Sequence, residues 1–354
     1  MNDHRSWLVL ADGWLTARNA KTAHGVIKYG RGRIAAVVDR EHAGRSLIDV
    51  LPQLGRDAPI VAGVEEGLAH DPTSLLLGVA TPGGWIPDDW RGWVLTAIEH
   101  GLEIANGLHS FLNDDPELVR LARRHGAQLW DVREPPEDIA LFSGRPLKLP
   151  KRIVLTVGSD CAVGKMTATL ELSRQGQTQG YSTQFVPTGQ TGILIAGWGI
   201  AVDRVISDFV AGASERLVCE THPSTDIAMV EGQGGLWHPA YSAVTLGLLH
   251  GSCPDVMVLC HQAGRTAIEE PPFTKIPPLA EMVETYEQIA SAVRPSKVAC
   301  IAVNCGGEGI ERERELRSIE DETGLVAGDV FAGDAPRLWE AIQTALPPRR
   351  GNHQ

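Results

Sequence analysis

The sequence has no CxxC pair. Its six cysteines, at 161, 219, 253, 260, 300 and 305, are scattered in or beside apolar stretches. That pattern predicts reduced thiols in a cytoplasmic protein, not disulfides or zinc ligands. Basic runs are missing as well, and the net charge is -12. Nucleic acid and anionic membrane are therefore excluded as main partners, although a local cationic pocket is still allowed. No apolar run approaches the ~20 residues that span a bilayer. The opening MNDHRSWLVLADG has too short an apolar stretch for a signal peptide. No GxGxxG follows a strand-like run, and there are no repeats or low-complexity tracts.

What remains is a chain of 354 residues with 43% hydrophobic content, enough for two domains with sizeable cores. One stretch organises it: RIVLTVGSDCAVGKMTATLEL, residues 152–172. Ile153, Val154, Leu155 and Val157 read as a buried strand, and Lys165 to Leu172 as a helix. Between them, Gly158 and Gly164 bracket a turn. Strand, glycine loop, lysine, hydroxyl and helix make the layout of a loop that cradles phosphate. Its N–H groups face an anion, the helix N-terminus adds partial positive charge, and Lys165 adds a full one. The candidate binding set is Gly158, Ser159, Asp160, Cys161, Ala162, Val163, Gly164, Lys165, Met166 and Thr167. The spacing is G-x5-G-K-x-T, one residue longer than usual before Gly164, and Met166 separates lysine from threonine. That insertion weakens Thr167 as a magnesium ligand. The plain alternative is a tight strand-to-helix turn that binds nothing.

Residues 1–147 read as strands alternating with helices, hence a parallel α/β sheet. The expected strands are Val26–Tyr29, Ile34–Val38, Ile60–Ala62, Leu75–Val79 and Leu129–Val132, and the clearest helix is Asp115–His125. The loops ATPGGWIP from Ala80 and GLHSFLNDD from Gly107 sit where open α/β sheets place ligand contacts, or serve only as connections. The proline-bearing run 144–151 is the expected linker, and the second domain is 148–354. There, strands are expected at 182–186, 226–230, 255–259 and 297–303. Helices are expected over Val202–Val210, Tyr241–Leu249, Leu279–Val293, 308–323 and Ala335–Ala345, with a proline-rich loop from Glu269.

Glu231 ends the strand-like IAMV and precedes glycines. An acid there either holds the metal of a phosphate loop or moves a proton; the bland alternative is a solvated turn. Asp203 and Asp208 are weaker carboxylates, equally suited to a helix surface. Asn304 closes another strand, where an amide can read a purine edge or simply form a turn. His222, His238 and His261 fall at strand ends and are candidate bases. Arg265 could clamp a carboxylate, with Arg204 and Lys275 behind it. Cys161 could carry an acyl group near the helix dipole, or merely be a small residue in a crowded loop.

Two known groups resemble these motifs. GSDCAVGKMT and VEGQGG are similar to dethiobiotin synthetase, and that likeness implies nucleotide phosphates at Gly158–Thr167, a metal near Glu231 and Thr167, and adenine near Asn304. A closer resemblance, covering nearly the whole chain, is to the D-glutamate N-acetyltransferase family, long described as a domain of unknown function. It rests on GVATPGGWIPDDW, GLHSFLNDDPEL, GSDCAVGKMT, QTGILIAGWGIAVDRVISDFVAGASE, EGQGGLWHPAYS and VLCHQAGR. It implies a Rossmann-like N-terminal domain, a P-loop C-terminal domain, and acetyl transfer from acetyl-CoA to D-glutamate or a related acidic amino acid. Acetyl-CoA would enter as co-substrate, gripped by its diphosphate. On that reading His261, His238 or Glu231 is the base and Arg265 the acceptor clamp. The competing reading is an ATP/Mg-dependent ligase or kinase, and a third is a nucleotide-binding module without turnover. The expected partners are small-molecule substrates and other copies of the chain in a homo-oligomer.

Overall fold

In the computed structural model, which describes residues 5–349 apart from 271 and 308, two parallel six-stranded sheets carry the chain. The first contains β1 (Ser6–Leu10), β2 (Arg33–Val38), β3 (Ile60–Val61), β4 (Ser74–Leu77), β5 (Glu103–Asn106) and β6 (Leu129–Asp131), in the order β3-β2-β1-β4-β5-β6. The second contains β7 (Arg152–Gly158), β8 (Thr183–Val186), β9 (Ile227–Val230), β10 (Val256–Gln262), β11 (Lys297–Asn304) and β12 (Val326–Gly328), in the order β12-β11-β10-β7-β9-β8. These are the Rossmann-like and P-loop arrangements of an α/β fold. The strands are continuous apolar runs because helices cover both faces of a parallel sheet. Leu8, Val9, Ile153, Val154, Met257 and Val258 are all fully buried.

By contacts the chain divides into two compact units. The first ends at Pro135 and takes in Gln190–Ala201; the second comprises Pro136–Gly189 and the chain from Val202 onward. The sequence-based boundary at 147/148 lies twelve residues later. The earlier break has a local cause. Buried Glu215 accepts hydrogen bonds from Ser143 N and Oγ, Gly144 N and Arg145 Nε at 2.6–2.9 Å. Those bonds tie the linker into the second unit.

Most expected elements appear within a few residues. Val26–Tyr29 is an exception: it ends the helix Lys21–Tyr29. Its β-branched character is overridden by packing, because Val26 and Ile27 are both fully buried. The amphipathic helix expected over Val202–Val210 is instead two 3₁₀ turns, Val202–Arg204 and Ser207–Phe209, and the helix proper is Val210–Cys219. β1, β5 and β12 are not among the expected strands, yet β1 pairs with both β2 and β4, and β5 with both β4 and β6. The expected helix at 308–323 is observed as Arg312–Thr323; position 308, like 271 in the proline-rich loop, lies outside the described residues. Among the described residues no helix is long and apolar enough to cross a membrane.

In the first unit the two glycine-bearing loops meet. His109 N and Ser110 N donate to Gly84 O at 3.0 and 3.1 Å. Buried Asp131 accepts from Leu112 N, Asn113 N, Asn113 Nδ2 and Asn106 Nδ2 at 2.7–3.0 Å and fixes the second loop.

Candidate functional site

The glycine loop leaves the centre of the second sheet, between β9 and β10. Buried Val163 pegs it to the core, and the helix Lys165–Thr178 follows directly. The turn needs two left-handed residues: Ala162 at φ 53° and Gly164 at φ 101°. The second angle suits only glycine. Alternating handedness curls successive N–H groups toward a common point, which is the geometry of an anion nest.

Polar groups brace this loop on every side. The Lys165 side chain is buried, and its Nζ donates to Asp160 O and Gly234 O, both at 2.7 Å. Burial lowers its pKa. Tyr286 donates its hydroxyl to Gly158 O at 2.8 Å. Asp160 is fully buried; its Oδ2 accepts from Arg265 Nη1 at 2.7 Å and Glu269 N at 3.0 Å, and its Oδ1 from Cys161 N at 2.6 Å. Arg265 also donates to Cys161 O at 3.1 Å and to Gln262 Oε1. Arg265 thus acts as a strut of the loop, and a clamp on an incoming carboxylate would have to compete with Asp160. His261 Nδ1 lies 2.9 Å from Ser159 Oγ. Burial pushes its pKa down to about 4, with Arg265 adding to the shift, so the ring is neutral at pH 7 and a weak base.

Glu231 ends β9, the strand beside the loop strand. Its Oε2 accepts from Thr188 N at 3.0 Å and Gly189 N at 3.3 Å. Burial is the dominant influence and pushes its pKa up to about 7; the two N–H bonds and Lys165 oppose that, and Asp203 adds to it. The glycines after it are there for close approach. A Cβ on Gly232 would sit 1.7 Å from Thr156 O, and one on Gly235 2.8 Å from Gly158 O.

The remaining predicted residues divide between those near the loop and those away from it. His238 is buried, with Nε2 4.0 Å from Asp160 Oδ1 and its ring 4.4 Å from that of Tyr241. Asp160, Cys161 and His238 bring an oxygen, a sulfur and a ring nitrogen within 4.8 Å of one another, a set whose residue types could hold a metal ion. Met166 and Thr167 are half-buried on the first helical turn. The inner hydroxyl of that turn is Thr169, bonded to Thr156 Oγ1 at 2.9 Å and Lys165 O at 2.8 Å. Asn304 ends β11 and spends its Oδ1 on Gly306 N at 3.1 Å, the turn role. His222 precedes β9, so it lies at the opposite end of the parallel sheet from the loop, with its Nδ1 2.7 Å from Ser224 Oγ. Asp203 reaches Glu231 electrostatically, whereas Arg204, Asp208 and Lys275 are exposed or partly so on turns away from strand ends. Tyr286, central to the bracing, has no sequence signal of its own, being one position in the helix Leu279–Ala290; Asp160 falls in the expected binding set, but its role as the partner of Arg265, 105 residues away, does not show in the sequence.

Comparison with known proteins places this architecture. Residues 140–339 match the domain of unknown function DUF1611_C, described as a P-loop domain, and residues 40–135 match DUF1611_N, described as a Rossmann-like domain. A crystal structure of a DUF1611 family protein from Anabaena variabilis is similar, with a TM-score of 0.91 and 38% identity over 96% of this chain and 100% of that one. A protein of Tritonibacter scottomollicae named D-glutamate N-acetyltransferase is 37% identical over 79% of this chain and 84% of its own length. One of a Pseudoalteromonas species with the same name is 39% identical over 69% and 73%. The chain belongs to the DUF1611 family.

Proposed function

We propose that this protein is an N-acetyltransferase that moves acetyl from acetyl-CoA to the amine of D-glutamate or a related acidic amino acid. The observation that carries the reading is the 281-residue match to a relative of that name, which is too long for either domain alone. The site chemistry is compatible. Acetyl transfer needs an anion-stabilising cradle, a base for the acceptor's ammonium and a neutral amine. The glycine loop with Lys165 supplies the cradle. Glu231 is the base we favour, because its pKa of about 7 matches the working pH. His261, held neutral and weakly basic, is the poorer choice.

The donor carries two groups that suit such a cradle: its diphosphate, and the thioester oxygen that becomes an oxyanion. The long pantetheine arm keeps them apart, so one loop serves one of them at a time. The test is thiol release from acetyl-CoA with D- and L-glutamate, with and without ATP and magnesium. Release that depends on D-glutamate and consumes no nucleotide is the expected result. Acceptor-dependent phosphate release would move the protein to the ATP-dependent ligases.

A further inference from the structure

We propose that Phe331 is a donor-binding residue: its ring is the platform on which the adenine of acetyl-CoA stacks. This rests on the acetyl-transfer reading above and says which end of the donor meets the glycine loop.

After β12 the chain makes the 3₁₀ turn Val330–Ala332, which sends two neighbouring apolar residues opposite ways. Val330 is buried in the core with Val163 and Ala168, whereas Phe331 is 49% exposed. Exposure alone assigns nothing to a single ring; its place does. A Cβ on Gly164 would lie 3.2 Å from Phe331 Cε2 and 3.4 Å from Cζ. The ring therefore meets the left-handed glycine of the loop by one edge, and nearly half of its surface is left to solvent. The turn that carries it is fixed. Buried Asp329 accepts from Phe331 N on Oδ1 at 2.8 Å, and its own N–H donates to Asp334 Oδ2 at 2.8 Å. A ring held in this way loses little freedom when a ligand stacks on it. The same carboxylate brings in a second group. Asp329 Oδ2 accepts from Cys305 N at 3.2 Å, which ties the end of β11 to the Phe331 turn. Beside Cys305, Asn304 gives its Oδ1 to Gly306 N at 3.1 Å, which fixes the orientation of the amide. Its Nδ2 makes no hydrogen bond among the described residues, so the group it offers a ligand is a donor.

Of the two substrates only the donor carries a flat aromatic group. Glutamate, the acetyl group and the pantetheine arm have no π face. Adenine is therefore the one group that a ring beside the loop can stack, and its edge carries acceptor nitrogens for the Asn304 amide. With the base on Phe331, the diphosphate is the donor anion nearest Gly164 and the N-terminus of the helix Lys165–Thr178. The flexible pantetheine arm then folds back to bring the thioester to Glu231. The loop so used binds the adenosine end of the donor, and the specificity for coenzyme A over a shorter thioester resides in the Phe331 turn.

The test uses the whole protein with two donors, acetyl-CoA and S-acetylphosphopantetheine, a thioester with no adenosine. Phe331→Leu keeps apolar bulk against Gly164 but removes the π face, and Phe331→Tyr keeps the face. Thiol release is measured with D-glutamate as acceptor, and ADP binding by calorimetry. Phe331→Leu should raise the KM for acetyl-CoA at least about fivefold with kcat unchanged, and weaken ADP by a similar factor. It should leave the KM for S-acetylphosphopantetheine as in the wild type, and Phe331→Tyr should recover both losses. An unchanged acetyl-CoA KM and unchanged ADP binding in Phe331→Leu would overturn the proposal and leave acetyl transfer intact. Equal losses with both donors, or losses that Phe331→Tyr does not recover, would overturn it as well, because the ring would then only brace Gly164. A wild type that releases no thiol, but binds ADP in a way that Phe331→Leu weakens and Phe331→Tyr does not, would uphold the stacking site and sink acetyl transfer. Neither binding nor release would sink both.

Discussion

The two sheets differ by one exchange of strands. In the first, the second strand in sequence lies beside the first; in the second, the third strand does, so β9 separates β7 from β8. That exchange decides which acid stands beside the first loop. In the Rossmann-like domain β2 runs into Asp39, which is fully buried, accepts from Gly13 N at 2.8 Å and pairs with His42 Nδ1 at 2.5 Å. Both of its oxygens have partners. In the P-loop domain β9 runs into Glu231. Both N–H groups it receives land on Oε2, and Oε1 has no hydrogen bond among the described residues. Burial makes Glu231 hold its proton more tightly, against the two N–H bonds and Lys165 that favour its release. The first domain uses its buried acids to fix loops, whereas the second keeps one near its ionisation point beside a buried lysine.

Glu231→Gln tests that contrast most severely. Thiol release should fall about 10²–10⁴-fold, and the rise of kcat/KM through pH about 7 should vanish, as steady-state rates across pH will show. The stability effect has its own sign. Because folding raises this pKa, the folded state binds a proton that the unfolded chain has released between the ordinary value of 4.5 and about 7. Stability conferred by the neutral form is present below that window and is lost as pH rises through it. In Glu231→Gln the loss should be absent from denaturant midpoints taken across the same pH range. An unchanged rate and pH profile would make Glu231 a structural acid like Asp39.

Lys165→Ala should weaken donor binding about 10–100-fold, the loss of a charge-assisted contact, measurable by calorimetry. Arg265→Lys keeps the charge but breaks the fork that joins Asp160, Cys161 O and Gln262. It should weaken donor and acceptor use together, by about fivefold. A rise in acceptor KM alone would instead restore the clamp role. The smallest effect on turnover belongs to the first domain. Asp131→Asn should cost about 1–3 kcal/mol of stability and leave donor affinity unchanged; a donor defect there would move the binding site out of the P-loop domain.

The chain's own residues settle much of this. The apolar run Ile153–Val157, the glycines at 158 and 164 and Lys165 announce the strand, glycine loop and helix of a P-loop domain, because strand burial, left-handed backbone and a helix start all leave local signatures. Alternating strands and helices give the fold class for the same reason. Local pattern could not decide which partners that loop would find. His222 and His261 look alike as strand-end histidines, but the direction of the parallel strands puts one at the far end of the sheet and the other against Ser159. Arg265 reads as a free cation until Asp160, distant in sequence, folds against it. The pKa of Glu231 depends on burial and on the backbone N–H groups of Thr188 and Gly189, and only packing sets those.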